Sequence, residues 1–298
     1  FVEGELFALL ANTGHWMDIG GSAPGGWAPQ AQEIHQEGII IPPLRLFEDG
    51  KRNESLVKMF LANVRLPDQI GGDIAAMTQV FHVGRRGLDD LVARYGAATV
   101  RECIDEMMLR SERQMRDHIE QIPDGTYHCT DYFDNDGIVD KPLTVKLALT
   151  VDGSEMHFDF TGTAPAAAGP LNMAETTTRS LSFVALKHLF PEVPVNGGTF
   201  RPTRFTVPQG CILAAQYPSP VCGYTDVINR IIDVVFGALS QAVPDITPAA
   251  PFGTTGVTTV AGRRAVAPSV RAVRGRWKYR RGARRRRRGR RRGRGERR

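Results

Sequence analysis

Asn12-Thr-Gly-His15-Trp-Met-Asp18-Ile-Gly20-Gly21-Ser-Ala-Pro24-Gly25-Gly26 is the stretch from which the rest of the chain can be placed. It follows an apolar run, Leu6-Phe-Ala-Leu-Leu-Ala11, that reads as a buried strand. A loop then carries one histidine, one aspartate three residues later, and four glycines in the next eight positions. Glycine lets a backbone take positive φ and come close to another group. Histidine and aspartate are ligand types for divalent metals of borderline-to-hard character. Two readings follow: a site built at a strand end, or a tight turn in which Asp18 caps backbone amides and His15 is solvated.

Composition narrows the choices. The 298 residues are 42% hydrophobic, enough to bury a core, and the formal net charge is +6. Of the 38 basic residues, 19 lie in 263–298 beside a single acid, Glu296. Residues 1–262 therefore hold 19 basic and 31 acidic residues, a net of −12. An acidic body gives no general case for nucleic-acid or membrane binding. Cys103, Cys129, Cys211 and Cys222 are scattered, with no C-x-x-C pair. They read as reduced thiols of a cytosolic protein. No run of 18 apolar residues suggests a transmembrane helix.

Periodicity gives the elements. Ile39–Leu46 reads as a strand or extended segment broken by Pro42 and Pro43, and 47–51 as a turn. Helical spacing covers 54–64, 68–95, closed by Gly96, and 99–122. Their apolar stripes, Ile70 to Tyr95 and Cys103 to Ile119, are expected to face a core. Residues 126–133, 143–151 and 156–161 read as strands, with Asp152-Gly153 as a hairpin signal. Further helices are expected over 174–190 and 228–243, with short strands at 205–207 and 212–214. The fold class is mixed α/β (α+β), several strands with long amphipathic helices. Residues 263–298, without Leu, Ile or Phe, are expected to be a disordered Arg-rich tail.

Five motifs in order give a resemblance. His15-Trp-Met-Asp18-Ile-Gly-Gly with Pro24-Gly25, Glu33-x-x-x-Glu37-Gly38 with Ile41-Pro-Pro43, Leu61-Ala-Asn-Val-Arg65 with Pro67 and Gly72-Asp73, Leu91-Val-x-Arg94-Tyr-Gly96, and Asp159-Phe-Thr-Gly-Thr163 with Gly169 and Asn172 are similar to segments of the hydantoinase B/oxoprolinase family. The likeness covers about residues 1–262. It begins inside the family's N-terminal region and stops near 256–263. Residues 1–262 are thus expected to be a domain fragment truncated at both ends. The tail, 263–298, looks like GC-rich DNA read in another frame, with an Arg-rich RNA-binding or nuclear-targeting segment as the alternative.

The resemblance implies a cytoplasmic B-type subunit of an ATP-dependent hydrolase acting on a cyclic amide of 5-oxoproline or hydantoin type. A hydantoinase A-type partner would bind ATP and magnesium, in keeping with the lack of a G-x-x-x-x-G-K-[ST] loop in this sequence. It also implies a divalent metal, manganese, zinc or iron, with His15 and Asp18 as ligands and His35 as a third. Asn172, Thr225 and Asp226 are candidates for the substrate cleft, and loop structure explains them equally well. The implied alternatives are a subunit of an acetone- or acetophenone-type carboxylase, an inactive fragment, or a nucleic-acid binder using the Arg tail. Asp131 and Asp134-Asn-Asp-Gly137 resemble part of a calcium loop without its glutamate, so a polar hairpin is expected.

Overall fold

Asn53 opens the first helix by accepting the Leu56 amide on its Oδ1 at 3.1 Å, as an N-cap asparagine does. The computed structural model that shows this describes residues 1–250 and residue 253. The disordered-tail reading of 263–298 lies outside the described residues. Ahead of Asn53 a small hairpin joins β1 (Phe47–Glu48) to β2 (Lys51–Arg52). Its turn, Asp49-Gly50, has positive φ at both residues, as a type I′ hairpin requires.

Three helices follow: α1 (Glu54–Ala62), α2 (Pro67–Tyr95) and α3 (Ala97–Ile119). Pro67 stops α1 from continuing and starts α2, where its missing N–H costs nothing. Gly96, at φ 82°, closes α2 and opens α3, donating its N–H to Val92 O at 2.9 Å.

The chain then builds a four-stranded sheet in the order β3 (Gly125–Phe133), β4 (Leu143–Asp152), β5 (Glu155–Asp159), β6 (Thr203–Thr206). The first three are antiparallel, β3 to β4 from Gly125↔Val151 to Phe133↔Leu143. Gly153-Ser154 makes the β4–β5 turn. β6 runs parallel to β5, as a crossover through helix α4 (Glu175–Leu189) demands. α5 (Tyr224–Leu239) packs on β3, β4 and α4. Val145, Leu147, Leu149 and Val151 alternate into the core, where they meet Phe158, Leu186, Ile231 and Val235. A smaller cluster of Phe60, Ile70 and Ile74, with Trp16 packed on it, lies under the first motif loop.

Three expectations are corrected. Leu6–Ala11 is not a buried strand: no second strand pairs with it, and Leu6, Leu9 and Leu10 are exposed. It lies along the helices instead, Leu10 over Gly84 and Phe7 beneath the Arg101 guanidinium. Residues 39–46 take the extended one of the two forms expected for them. Residues 212–214 are buried without forming a strand, because only Cys211 makes a bridge, to Pro165. The α2 and α3 stripes are core only in part. Ile70, Ile74, Val100, Met115 and Ile119 are buried, whereas Leu91, Tyr95, Cys103, Ile104 and Met107 are exposed. α1 packs on the start of α2 and the sheet core on the end of α3, so the buried positions lie there and the hairpin tip between them is left uncovered.

Candidate functional site

The glycine loop is held by two close backbone crossings. Ile39 N donates to Ile19 O at 2.9 Å and Ser22 N to Gln36 O at 2.7 Å. Gly21, at φ 81°, passes so near Glu37 that a Cβ would lie 2.7 Å from its carbonyl carbon. A Cβ on Gly38 would likewise meet Ile19 O at 2.7 Å. These contacts require glycine in both motifs, Ile-Gly-Gly and Glu-Gly.

Asp18 sits inside this arrangement, 2% exposed. Its Oδ1 accepts from Gly20 N at 3.2 Å and Arg65 Nη1 at 3.3 Å. Its Oδ2 accepts from Leu66 N at 3.1 Å and from Arg65 N. Arg65 also donates to Gly20 O at 2.9 Å and Gly21 O at 2.8 Å. The Asp18 and Arg65 motifs are therefore one device, a carboxylate that supplies the missing acceptors before α2 and an arginine that grips the glycine loop. This is the capping geometry, buried rather than at a surface turn.

The other end of the loop docks on residues 216–224. Glu37, 8% exposed, accepts the Val221 and Cys222 amides on Oε1, each at 2.7 Å. Cys222 Sγ lies 3.4 Å from both Ala28 N and Ala28 O. Burial, with the Glu37 carboxylate adding to it, pushes the Cys222 thiol up to about 11. That makes it a packing thiol and not a nucleophile. Ile34 N donates to Pro218 O at 2.8 Å, and His35 Nε2 pairs with the Tyr217 hydroxyl at 2.8 Å. His35 and Tyr217 are both exposed.

Asn172 is fully buried and satisfied. Its Oδ1 accepts from Ala167 N at 2.8 Å, and its Nδ2 donates to Ala167 O, Gly169 O and Pro220 O at 3.1, 2.9 and 3.0 Å. Asp136 holds the same loop from outside, taking the Ile138, Val139 and Gly169 amides at 2.8, 2.6 and 3.0 Å. Burial acts to raise its carboxyl, but the amides of Val139, Gly169, Ile138 and Ala168 outweigh it and keep the group below the ordinary carboxylate range. Within the exposed turn Asp134-Asn-Asp-Gly137, Asp136 alone is buried, and it anchors the loop. Thr225 and Asp226 lie in the first turn of α5, whose N-cap Gly223 donates to Pro170 O at 3.0 Å.

His35 and Asn172 bond different residues of the 216–226 segment, Tyr217 and Pro220, and Thr225 and Asp226 belong to that segment. It does not group His15 and Asp18 with His35 as one ligand set. His15 is exposed, both Asp18 oxygens are taken up by the loop, and His35 is paired with Tyr217. Among the described residues no group of three or more His, Cys, Asp or Glu could hold a metal. A cation beside Asp18 would also stand next to the Arg65 guanidinium. These three residues do not fit the expected divalent metal. Sequence reasoning passed over Arg65, Glu37 and Asp136 as site builders. Arg65 and Glu37 were in plain view within the motifs.

Beside the loop, between residues 39–46, α1 and α2, lies an apolar cavity of about 380 Å³.

Residues 1–289 match the hydantoinase B/oxoprolinase family, past the boundary near 262 that the sequence motifs set. The beta chain of caprolactamase from Pseudomonas jessenii is 32% identical over 249 residues, covering 82% of this chain and 42% of that one. The B-type chain of a putative D-/L-hydantoinase from Pseudomonas sp. (strain NS671) is 29% identical over 257 residues, covering 82% and 43%. The crystal structure of ATP-dependent caprolactamase from Pseudomonas jessenii superposes with a TM-score of 0.72 at 32% identity, over 78% of this chain and 41% of that one. The chain spans less than half the length of these relatives.

Proposed function

The chain belongs to the hydantoinase B/oxoprolinase family, and from that premise we propose that it is the B-type subunit of an ATP-dependent enzyme that opens a cyclic amide. The observation that carries the reading is the 32% identity, in sequence and in fold, to a chain of ATP-dependent caprolactamase. Resonance makes an unstrained amide a poor electrophile and its nitrogen a poor leaving group. Phosphorylating the amide oxygen removes that resonance and makes the oxygen a leaving group. One water then adds to the carbon, the C–N bond breaks and the nitrogen takes a proton, which leaves an acyl phosphate. A second water attacks the acyl carbon and releases phosphate with the former amide oxygen, so that one ATP and two waters give ADP, phosphate and the ring-opened amino acid. ATP and magnesium are assigned to an A-type partner, since this sequence contains no phosphate-binding G-x-x-x-x-G-K-[ST] loop.

The chain's own contribution is a rigid wall. Asp18, Glu37, Asp136 and Asn172 each fix a loop by binding backbone groups. Fixed loops of this kind hold a substrate in a reactive pose. The test is reconstitution with an A-type partner, following ring opening of ε-caprolactam, 5-oxoproline and hydantoin. Neither chain alone should turn over, and the pair should release ADP and ring-opened product together without bicarbonate. ADP release that requires bicarbonate, with carboxylated product, would replace this reading by the carboxylase one. Robust ATP turnover by this chain alone would contradict it.

A further inference from the structure

The outer side of α2 carries a row of residues that no other part of the described chain covers. Val80 and Val83 are 54% and 60% exposed. Arg86, Gly87, Asp90 and Ala93 continue the row at helical spacing and are all exposed. Gly87 faces open space, since a Cβ there would meet nothing within 4 Å. Neighbouring charges are spent: Arg85 pairs with Asp89 at 3.4 Å, and the Arg94 guanidinium lies over the Tyr95 ring. Arg86 and Asp90 differ. They stand one turn apart, yet among the described residues neither has an ionic or hydrogen-bonding partner. An apolar row with two unpaired, opposite charges in its middle is an unusual helix surface to leave in water.

We propose that this row is the interface of a homodimer, in which α2 of a second copy lies antiparallel across it. With a two-fold axis at the level of Leu88, Arg86 of each copy faces Asp90 of the other, and Val83 faces Ala93. Both orphan charges are then paired, twice over, by the same symmetry operation. Gly87 lets the two backbones approach where those pairs form. Self-complementarity of this kind is what an isologous two-fold contact requires. A partner of different sequence would need no such relation between Arg86 and Asp90, so the charge pattern favours a second copy. From Val80 to Ala93 the row spans about 20 Å. One helix from each copy makes a contact smaller than the roughly 800 Å² per partner of a standard interface, so the dimer is weak, with Kd of roughly 1–100 µM. Dimerisation through α2 is independent of which bond the protein opens.

The test is sedimentation equilibrium of the full 32.8 kDa chain at concentrations spanning that range. A reversible monomer–dimer equilibrium is expected. Arg86→Asp sets acid against acid across the axis, and Asp90→Arg sets base against base. Each variant should weaken dimerisation at least about tenfold. Both positions are exposed, so both variants should melt with the parent. Mixed in equal amounts, the two variants regain both ion pairs in a heterodimer, and association should return to near the parent's. A chain that stays monomeric throughout, single variants that dimerise like the parent, or a mixture that associates no better than either variant alone would each overturn the assignment. If an A-type partner covers this face instead, the chain alone is monomeric and the charge variants weaken only the complex of the two different chains, which is also an overturning result.

Discussion

Asp233 shows how one buried side chain sets a pH response. It lies on α5 with its side chain 8% exposed, and its Oδ1 has no hydrogen-bond partner. Arg230 is 3.8 Å from its other oxygen and is committed to Asp131 and to Gly253 O. Burial raises the Asp233 carboxyl; Arg230 opposes this and the Asp131 carboxylate adds to it. A carboxyl raised in the folded state contributes stability that is full below its unfolded value and is lost as pH rises through its folded value. Asp233→Asn mimics the neutral form. Thermal melts should therefore show the variant matching the parent near pH 4 and exceeding it by a few degrees at pH 8. Equal melting temperatures at both values would mean that the charge is screened. At this scale the sequence was legible in part. The motifs located Asp18, Glu37 and Asn172, but their partners are backbone amides and carbonyls, which no residue pattern displays. The His15–Asp18–His35 expectation treated spacing as proximity. The Arg65 and Tyr217 side chains take up two of those three groups.

Elements were more legible because periodicity records burial directly. The helices and the sheet strands of residues 125–159 appear within a few residues of their expected bounds. The failures were short apolar runs. Leu6–Ala11 and 212–214 have strand composition, yet a strand needs a partner, and only tertiary structure supplies one. Close packing of elements was also invisible. α5 approaches β3 so tightly at Gly237 that a Cβ there would stand 2.4 Å from Cys129 Sγ. Burial and the nearby Asp131 carboxylate raise the Cys129 thiol, so it is a neutral packing group. Gly237→Ala should destabilise the chain by about 1–3 kcal/mol in urea unfolding, as overpacking does. Adding Cys129→Ala removes the obstructing sulfur and should recover a good part of the loss. An additive or worse double variant would show that helix propensity or another contact sets the cost, and not this approach.

On the scale of the whole molecule, the sheet and its two covering helices have a complete core, whereas the α2–α3 hairpin leaves Leu91, Tyr95, Ile104 and Met107 exposed. Among the described residues no helix is long and apolar enough to cross a membrane. The motif loops converge from positions as distant as Glu37 and Val221, a long-range closure that the ordered motifs announced only through family resemblance. The function proposed for this chain has ATP activate a cyclic amide at its oxygen. The most direct measurement uses ε-caprolactam labelled with ¹⁸O at the carbonyl, turned over by the chain with its A-type partner and ATP. Activation at the amide oxygen predicts that the label leaves in inorganic phosphate, one labelled phosphate per ring opened. Label retained wholly in the product carboxylate, with phosphate unlabelled, would contradict it.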